Sequence, residues 1–398
     1  MPPSTTFDLA AVQAAIRGAD IDGWLLYDFR NTDPIARNVL GLEGHAGSRR
    51  WFYFVPSEGA PRKLVHAIES KALDAVPGDA TIYLTWQSLD EGIGSILGDS
   101  TRVAMNYSPQ GDVPYVSKVD AGTVEKVRSK GVEVVSSADL MQAFEAVLSE
   151  EQLASHHRAA KRIRDIVDEV FALVGETLRA GKTITERDIV NYANSELRAA
   201  GMINDHDPIV GVNEHAADPH FEVAQEGSSE IRVNDLLLFD IWAREEAAGS
   251  IYADITWCAF VGGEAPEEIV KVFNIVRDAR KAACQRADEA FRAGDDIRGF
   301  ELDRAARKII DDAGYGEYFI HRLGHSIHEN THGNGANLDD LETHDTRKML
   351  PGTLFSVEPG IYLPGKFGIR SEVDVYHTGN SAEITGAPHQ EDLVRIEV

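Results

Sequence analysis

The chain has 398 residues, more than one hydrophobic core usually serves, so two domains are expected. Its 43% apolar and 26% charged residues match soluble globular averages and exclude disordered, collagen-like and membrane-embedded classes. With 39 basic against 65 acidic residues, the formal net charge of −26 repels phosphate backbones and anionic lipid, so neither nucleic acid nor a membrane is an expected partner.

In chain order, the opening Met1 to Asp8 lacks the basic and apolar stretches of a secretion signal. Only two cysteines follow, Cys258 and Cys284, too few for a disulfide framework, so a cytoplasmic location is expected. Gly23 to Asp28, Trp51 to Val55, Thr81 to Trp86 and Arg102 to Tyr107 read as strands, rich in β-branched and aromatic residues. Ile68 to Ala75 and Leu140 to Leu148 fit helices between or after them, which makes residues 1–147 an α/β domain. No catalytic constellation stands out in it.

A second domain, residues 148–398, opens with the capping-box spacing Ser149-Glu150-Glu151-Gln152. Ile163, Ile166, Val167, Val170 and Val174 then recur at helical intervals. Further helices are predicted from Thr185 to Gly201, from about Pro266 to Gly294 and from Ile297 to Gly314. Leu236 to Ile241, Ile251 to Val261, Leu354 to Leu363 and Ile369 to His377 read as strands, so helices on a mainly antiparallel sheet, an α+β class, are expected.

Those strands carry acids where acids are costly. Asp240 ends the apolar run Leu236-Leu-Leu-Phe, and period-2 alternation puts Asp254 on one face of the next strand with Tyr252 and Thr256. A hairpin centred on Ala247 would set Asp240 directly opposite Asp254. The turn signal Pro364-Gly365 centres a second hairpin in which Glu358 opposes Glu372, with Arg370 and Asp374 on the same side. Facing carboxylates repel, and without compensation one member of each pair protonates. Divalent cations relieve the repulsion at both. Between the hairpins, His321 to His332 holds four of the 14 histidines, so one imidazole is a fifth candidate ligand. One imidazole with four carboxylates suits Mn²⁺ first, then Co²⁺ or Zn²⁺.

The ordered set Asp240, Asp254, His325, Glu358 and Glu372 resembles the five ligands of the pita-bread metallopeptidases, which include the Xaa-Pro dipeptidases (prolidases) and Xaa-Pro aminopeptidases. The motifs that carry the resemblance are Asp254-Ile-Thr256, His321-x-x-Gly324-His325, Ser356-Val-Glu358-Pro-Gly-Ile-Tyr and Gly368-Ile-Arg370-Ser-Glu372. It covers residues 150 to 398 by motif, and the N-terminal half fits the family's creatinase-like extra domain in outline.

The resemblance implies a creatinase/aminopeptidase-like catalytic domain with two divalent metal ions per subunit and proline-containing di- or short peptides as substrates. It also implies a homodimer in which the N-terminal domain gates a neighbouring site. Asp240 would hold one ion, His325 and Glu358 the other, and Asp254 and Glu372 both. A metal-bridged hydroxide would be the nucleophile, with Glu358 as proton shuttle. His220 would contact the scissile amide, His332 would hold the tetrahedral intermediate, and Arg370 would support Glu372 and help bind a substrate carboxylate. Xaa-Pro dipeptidase is the first choice, with Xaa-Pro aminopeptidase as the alternative. A metal-free creatinase-like amidinohydrolase and a non-catalytic binding protein are the readings from other classes.

Several positions depart from the family pattern. The Asp240–Asp254 interval is a few residues long, so the loop Ala243 to Ser250 should bulge near the site. His328 replaces a glycine, Trp257 replaces an arginine whose salt bridge is then missing, and the loop containing residues 335–342 is extended. His328-Glu329-Asn-Thr-His332 also spells a zinc motif, but one that needs a helix, and the surrounding glycines and asparagines disfavour it.

Overall fold

The computed structural model describes residues 7–42 and 47–398. The Met1–Thr6 part of the opening lies outside them. The chain divides into two compact units, Met1–Glu145 and Ala146–Val398, so the boundary falls two residues before the one expected. No helix among the described residues is long and apolar enough to cross a membrane.

The first unit is built on a six-stranded mixed sheet. Its order is Asp79–Tyr83, Arg62–His66, Trp51–Pro56, Gly23–Asp28, Arg102–Met105 and Glu133–Ser136. Two expectations fail here. The segment read as a strand to Trp86 ends at Tyr83, because Thr85 and Ser88 form a capping box that gives Trp86 to the helix Trp86–Leu97. The predicted helix from Ile68 shrinks to the 3₁₀ turn Ala67–Glu69, whose apolar Ile68 has no core to face and is exposed.

In the second unit, alternation along two long strands sorts their side chains between two cores. Leu236–Glu245 and Ala253–Val261 are antiparallel neighbours. Leu237, Phe239, Ile241, Ile255 and Trp257 pack against the helices Glu150–Arg179 and Glu186–Ala199. Leu236, Leu238, Cys258 and Phe260 face the opposite way, toward the helices Glu267–Ala293 and Gly299–Asp312. Each fully buried Leu, Ile or Phe contributes about 1.5–3 kcal/mol, so the strand faces cannot exchange. Asp240, Asp254 and Thr256 therefore lie on the second face, at its polar end.

The predicted strand Leu354 to Leu363 breaks at Pro359 into Leu354–Val357 and Gly360–Leu363. Its partner breaks into Phe367–Arg370 and Val373–His377. Both ladders share one centre at Gly365, which takes a φ of 71° that a side chain would resist. Glu358 and Glu372 stand at the break.

Candidate metal centre

The first hairpin corrects the expected register. Asp240 pairs with Thr256 and Asp254 with Trp242, so the two aspartates are diagonal neighbours and not directly opposite. The turn decides this: Ser250 N–H donates to the Ala247 carbonyl at 3.2 Å, Gly249 takes a φ of 82°, and the ladder centres on Ala248. The resulting two-residue shift preserves the face, because side chains alternate with period two. The expected bulge from Ala243 is also absent: the strand continues to Glu245, held there by Met202 and Ile203, and the turn lies beyond it.

All five predicted residues meet. Asp254, His325 and Glu372 each offer an oxygen or nitrogen within 4.8 Å of the others. His325 Nε2 lies 3.8 Å from Asp254 Oδ2 and 3.5 Å from Glu358 Oε1. Asp240 accepts from Arg370 Nη2 at 2.5 Å. Gly324 lets the His325 segment approach the second hairpin, since a Cβ there would meet the Ser356 carbonyl at 2.1 Å. His325 N–H donates to Ser356 Oγ at 3.0 Å, and Ser356 Oγ is 3.3 Å from Glu358 Oε1.

This cluster is buried and overloaded with acid. Asp240, Asp254, His325 and Glu372 are 6%, 5%, 3% and 2% exposed. Burial, then repulsion from Glu372 and Asp240, pushes Asp254 well above the ordinary carboxylate range. Burial, then Glu358 and Asp240, does the same to Glu372. Desolvation raises Asp240 against the pull of Arg370 and lifts Glu358 to about 7. It also drives the His325 imidazole well below its usual value, toward the neutral form that binds metal. Asp240 Oδ1 and Asp254 Oδ1 are buried without a hydrogen-bond partner among the described residues. A desolvated carboxylate oxygen with no donor is costly, and divalent cations supply both the charge and the contact it lacks. The donor set fits such ions.

Surrounding side chains brace the acids. Thr256 Oγ1 donates to Glu372 Oε2 at 2.7 Å and accepts from Arg370 Nε at 3.0 Å, which joins the two hairpins. Arg370 also donates to the Pro219 carbonyl at 3.1 Å and to Tyr362 Oη at 3.2 Å. Its guanidinium is engaged by protein on both sides. Tyr362 Oη in turn lies 2.8 Å from His321 Nε2. Asp374 Oδ2 accepts from the Asp254 N–H at 2.8 Å. Sequence reasoning placed Ser356, Tyr362 and His321 in motifs without giving them a role, and it left Asp374 as a bystander beside Glu372. The signal for Asp374 was its alternation with Glu372; for His321, its place in the histidine motif.

The two outer histidines differ. His332 sets its ring edge-on to His325, with centroids 4.3 Å apart, and desolvation pushes it down to about 4 although its outer side is exposed. His220 is exposed, and its charge acts on Asp240, His321 and His332. Residues 328–335 form no helix, so the accidental zinc motif is not realised. Half-buried His328 uses its backbone, its carbonyl accepting from Tyr252 N–H at 3.0 Å. Trp257 faces the other core, with Arg164 stacked 3.8 Å over its ring. In the long loop, the Asp339 carboxylate accepts from the N–H groups of Leu341, Glu342 and Thr343.

Comparison with known proteins agrees with this geometry. A sequence profile of metallopeptidase family M24 matches residues 155–379. An uncharacterised peptidase of Staphylococcus haemolyticus is 29% identical over 349 residues, spanning 84% of this chain and 91% of its own length. A Xaa-Pro dipeptidase of Lactobacillus delbrueckii subsp. lactis is 35% identical over 209 residues, 52% of this chain; the match spans about half of that relative, 51%. In fold, the crystal structure of a dipeptidase from Mycobacterium ulcerans superposes with a TM-score of 0.69 at 23% identity, covering 98% of this chain and 97% of that one. With the family profile spanning more than half of the sequence and the acids, imidazole and hairpins gathered in one buried centre, the chain belongs to metallopeptidase family M24, metal-dependent hydrolases of the pita-bread fold.

Proposed function

We propose that the chain is a dinuclear metal-dependent exopeptidase that hydrolyses the peptide bond preceding proline, and specifically a Xaa-Pro dipeptidase. The observation that carries this reading is the cluster Asp240, Asp254, His325, Glu358 and Glu372, all but Glu358 buried, two of whose carboxylates keep an oxygen without a partner among the described residues. Two divalent ions, Mn²⁺ first, would supply Lewis acidity toward the scissile carbonyl and acidify water. Asp240 would hold one ion, His325 and Glu358 the other, and Asp254 and Glu372 both.

The protein's own groups do the rest. Glu358 has the most exposed side chain of these acids, at 15%, so it can exchange a proton with substrate while its neighbours stay dry. Arg370 holds Asp240 and Thr256 in place, a positioning role. Four of its five N–H donors are engaged by protein, which leaves one Nη2 hydrogen at most for a substrate carboxylate. His220 and His332, at the exposed rim, are the donors that would hold the scissile amide and its tetrahedral successor. Proline's tertiary nitrogen gives no N–H for a general peptidase to bind, so a dedicated site makes physical sense.

Support for the dipeptidase choice comes from the tight hairpin on Gly365 and from the Lactobacillus relative. Xaa-Pro aminopeptidase is the second reading. Side-by-side hydrolysis of Ala-Pro and Ala-Pro-Ala by Mn²⁺-loaded protein tests it: the dipeptide should be cleaved faster, and preference for the tripeptide reverses the ranking. Metal analysis showing fewer than two ions per chain would count against the dinuclear centre. A homodimer is proposed as well, and light scattering at the monomer mass refutes it.

A further inference from the structure

An acid at the mouth of this centre has no part in the roles above. Met202–Ile203 pairs with Glu245 and Arg244, and Ile209–Val212 pairs with the Leu237–Asp240 stretch of the same strand. Between these two pairings, residues 204–208 leave the ladder and run past Trp242. Asp205 Oδ1 accepts from Trp242 Nε1 at 2.6 Å, while Oδ2 has no hydrogen-bond partner among the described residues. The Asp205 side chain is 48% exposed. Trp242 is the cross-strand partner of Asp254 and lies two residues from Asp240 on the same face. The Asp205 charge also acts on the His332 imidazole and the Tyr252 hydroxyl, so it stands at this centre's rim.

We propose that Asp205, backed by the Trp242 ring, is a specificity residue that selects a cationic side chain, lysine or arginine, on the residue preceding the scissile bond. The inference rests on the exopeptidase reading above. The substrate α-amine is two bonds from the reacting carbonyl and so stays close to the centre. Trp242 lies about 7 Å from Asp240 along the strand and directly across from Asp254, with Asp205 to its side, a reach that the long stem of lysine or arginine spans. The indole N–H fixes one carboxylate oxygen and leaves the other for the ligand, while an indole face attracts a cation. Neighbouring charges leave Asp205 available. Asp207 is paired with Arg187, Arg244 is turned to the carbonyls of Glu245 and Ala247, and His206 approaches the oxygen already used by Trp242.

Mn²⁺-loaded protein assayed on Lys-Pro, Leu-Pro and Glu-Pro tests this. The expected order of kcat/KM is Lys-Pro, Leu-Pro, Glu-Pro. In Asp205→Asn the Lys-Pro to Leu-Pro ratio should fall about tenfold, chiefly through KM, the size of a half-exposed ion pair plus a cation–π contact. Asp205→Lys should shift preference toward Glu-Pro. A Lys-Pro to Leu-Pro ratio unchanged in Asp205→Asn overturns the proposal. If no Xaa-Pro peptide is turned over, the exopeptidase reading fails separately, and calorimetry of Lys-Pro binding decides on Asp205: weaker binding by Asp205→Asn supports it, equal affinity sinks it.

Discussion

The two hairpins that deliver the four acids reach the same end by different means. The C-terminal one turns tightly on Pro364-Gly365, and both of its ladders share that centre across the break at Pro359. The other turns through residues 246–252, a longer loop whose centre sits one residue past the point of sequence symmetry between Asp240 and Asp254. A tight turn dictates register, whereas a loose loop lets local hydrogen bonding choose among registers two residues apart. The centre tolerates that freedom because a two-residue slip returns every side chain to the same face. What the first hairpin lacks in turn chemistry it gains in anchors: Thr256 ties it to the second hairpin, and buried His156 lies 2.8 Å from the Tyr252 carbonyl at its base.

The harshest way to break the comparison is to empty one side of the centre. Asp254→Ala and Glu372→Ala should each lower Ala-Pro turnover about 10⁴-fold, and the double variant should be little worse, as for groups that act as a unit. Additive losses in steady-state kinetics would mean that the hairpins work independently. Severing the tie between them comes next. Thr256→Val leaves Glu372 without its hydroxyl donor and should weaken Mn²⁺ binding about 10- to 100-fold in a calorimetric titration. Unaltered affinity would show that the tie is dispensable.

The His156 anchor should make the first hairpin acid-sensitive. Burial drives this imidazole down to about 4, with one nitrogen 2.8 Å from the Tyr252 carbonyl and the other 2.7 Å from Thr385 Oγ1. The unfolded chain takes up a proton near pH 6.5 that the folded chain refuses until near pH 4, so stability is full above the first value and declines toward the second. The loss amounts to roughly 3 kcal/mol. Denaturant unfolding across this range should show it, and His156→Gln should flatten the profile.

The smallest effects fall on the turns. Gly365→Val should cost about 1–2 kcal/mol, because the left-handed backbone there penalises a side chain. A Gly-Ser insertion after Ala248 should cost no more than about 0.6 kcal/mol and leave turnover within about twofold. Equal sensitivity of the two turns, by thermal unfolding, would erase the distinction drawn between them.

Much of the site could be read in advance because its residues lie on long apolar strands, where a lone Asp or Glu stands out and period-2 alternation assigns its face. The bracing was harder to read. Tyr362, Ser356 and His321 have side chains that serve as ordinary core or turn residues in most settings, and only their approach to Arg370, Glu358 and each other gives them a role. Trp86 and Ile68 show the same limit in the first unit. Hydropathy cannot separate a strand residue from one claimed by a helix cap, or a helix from an apolar side chain with nothing to pack against.

Chain order alone thus determined which acids and which histidine-rich segment could gather, because alternation, turn residues and capping spacing are local properties that each stretch carries with it. Tertiary structure alone decided the diagonal placement of Asp240 and Asp254, the commitment of Arg370 to protein partners and the position of Asp205 beside Trp242. These depend on where a loose loop settles and on which distant atoms then come within hydrogen-bonding reach, quantities set by the sum of many contacts and written in no single segment.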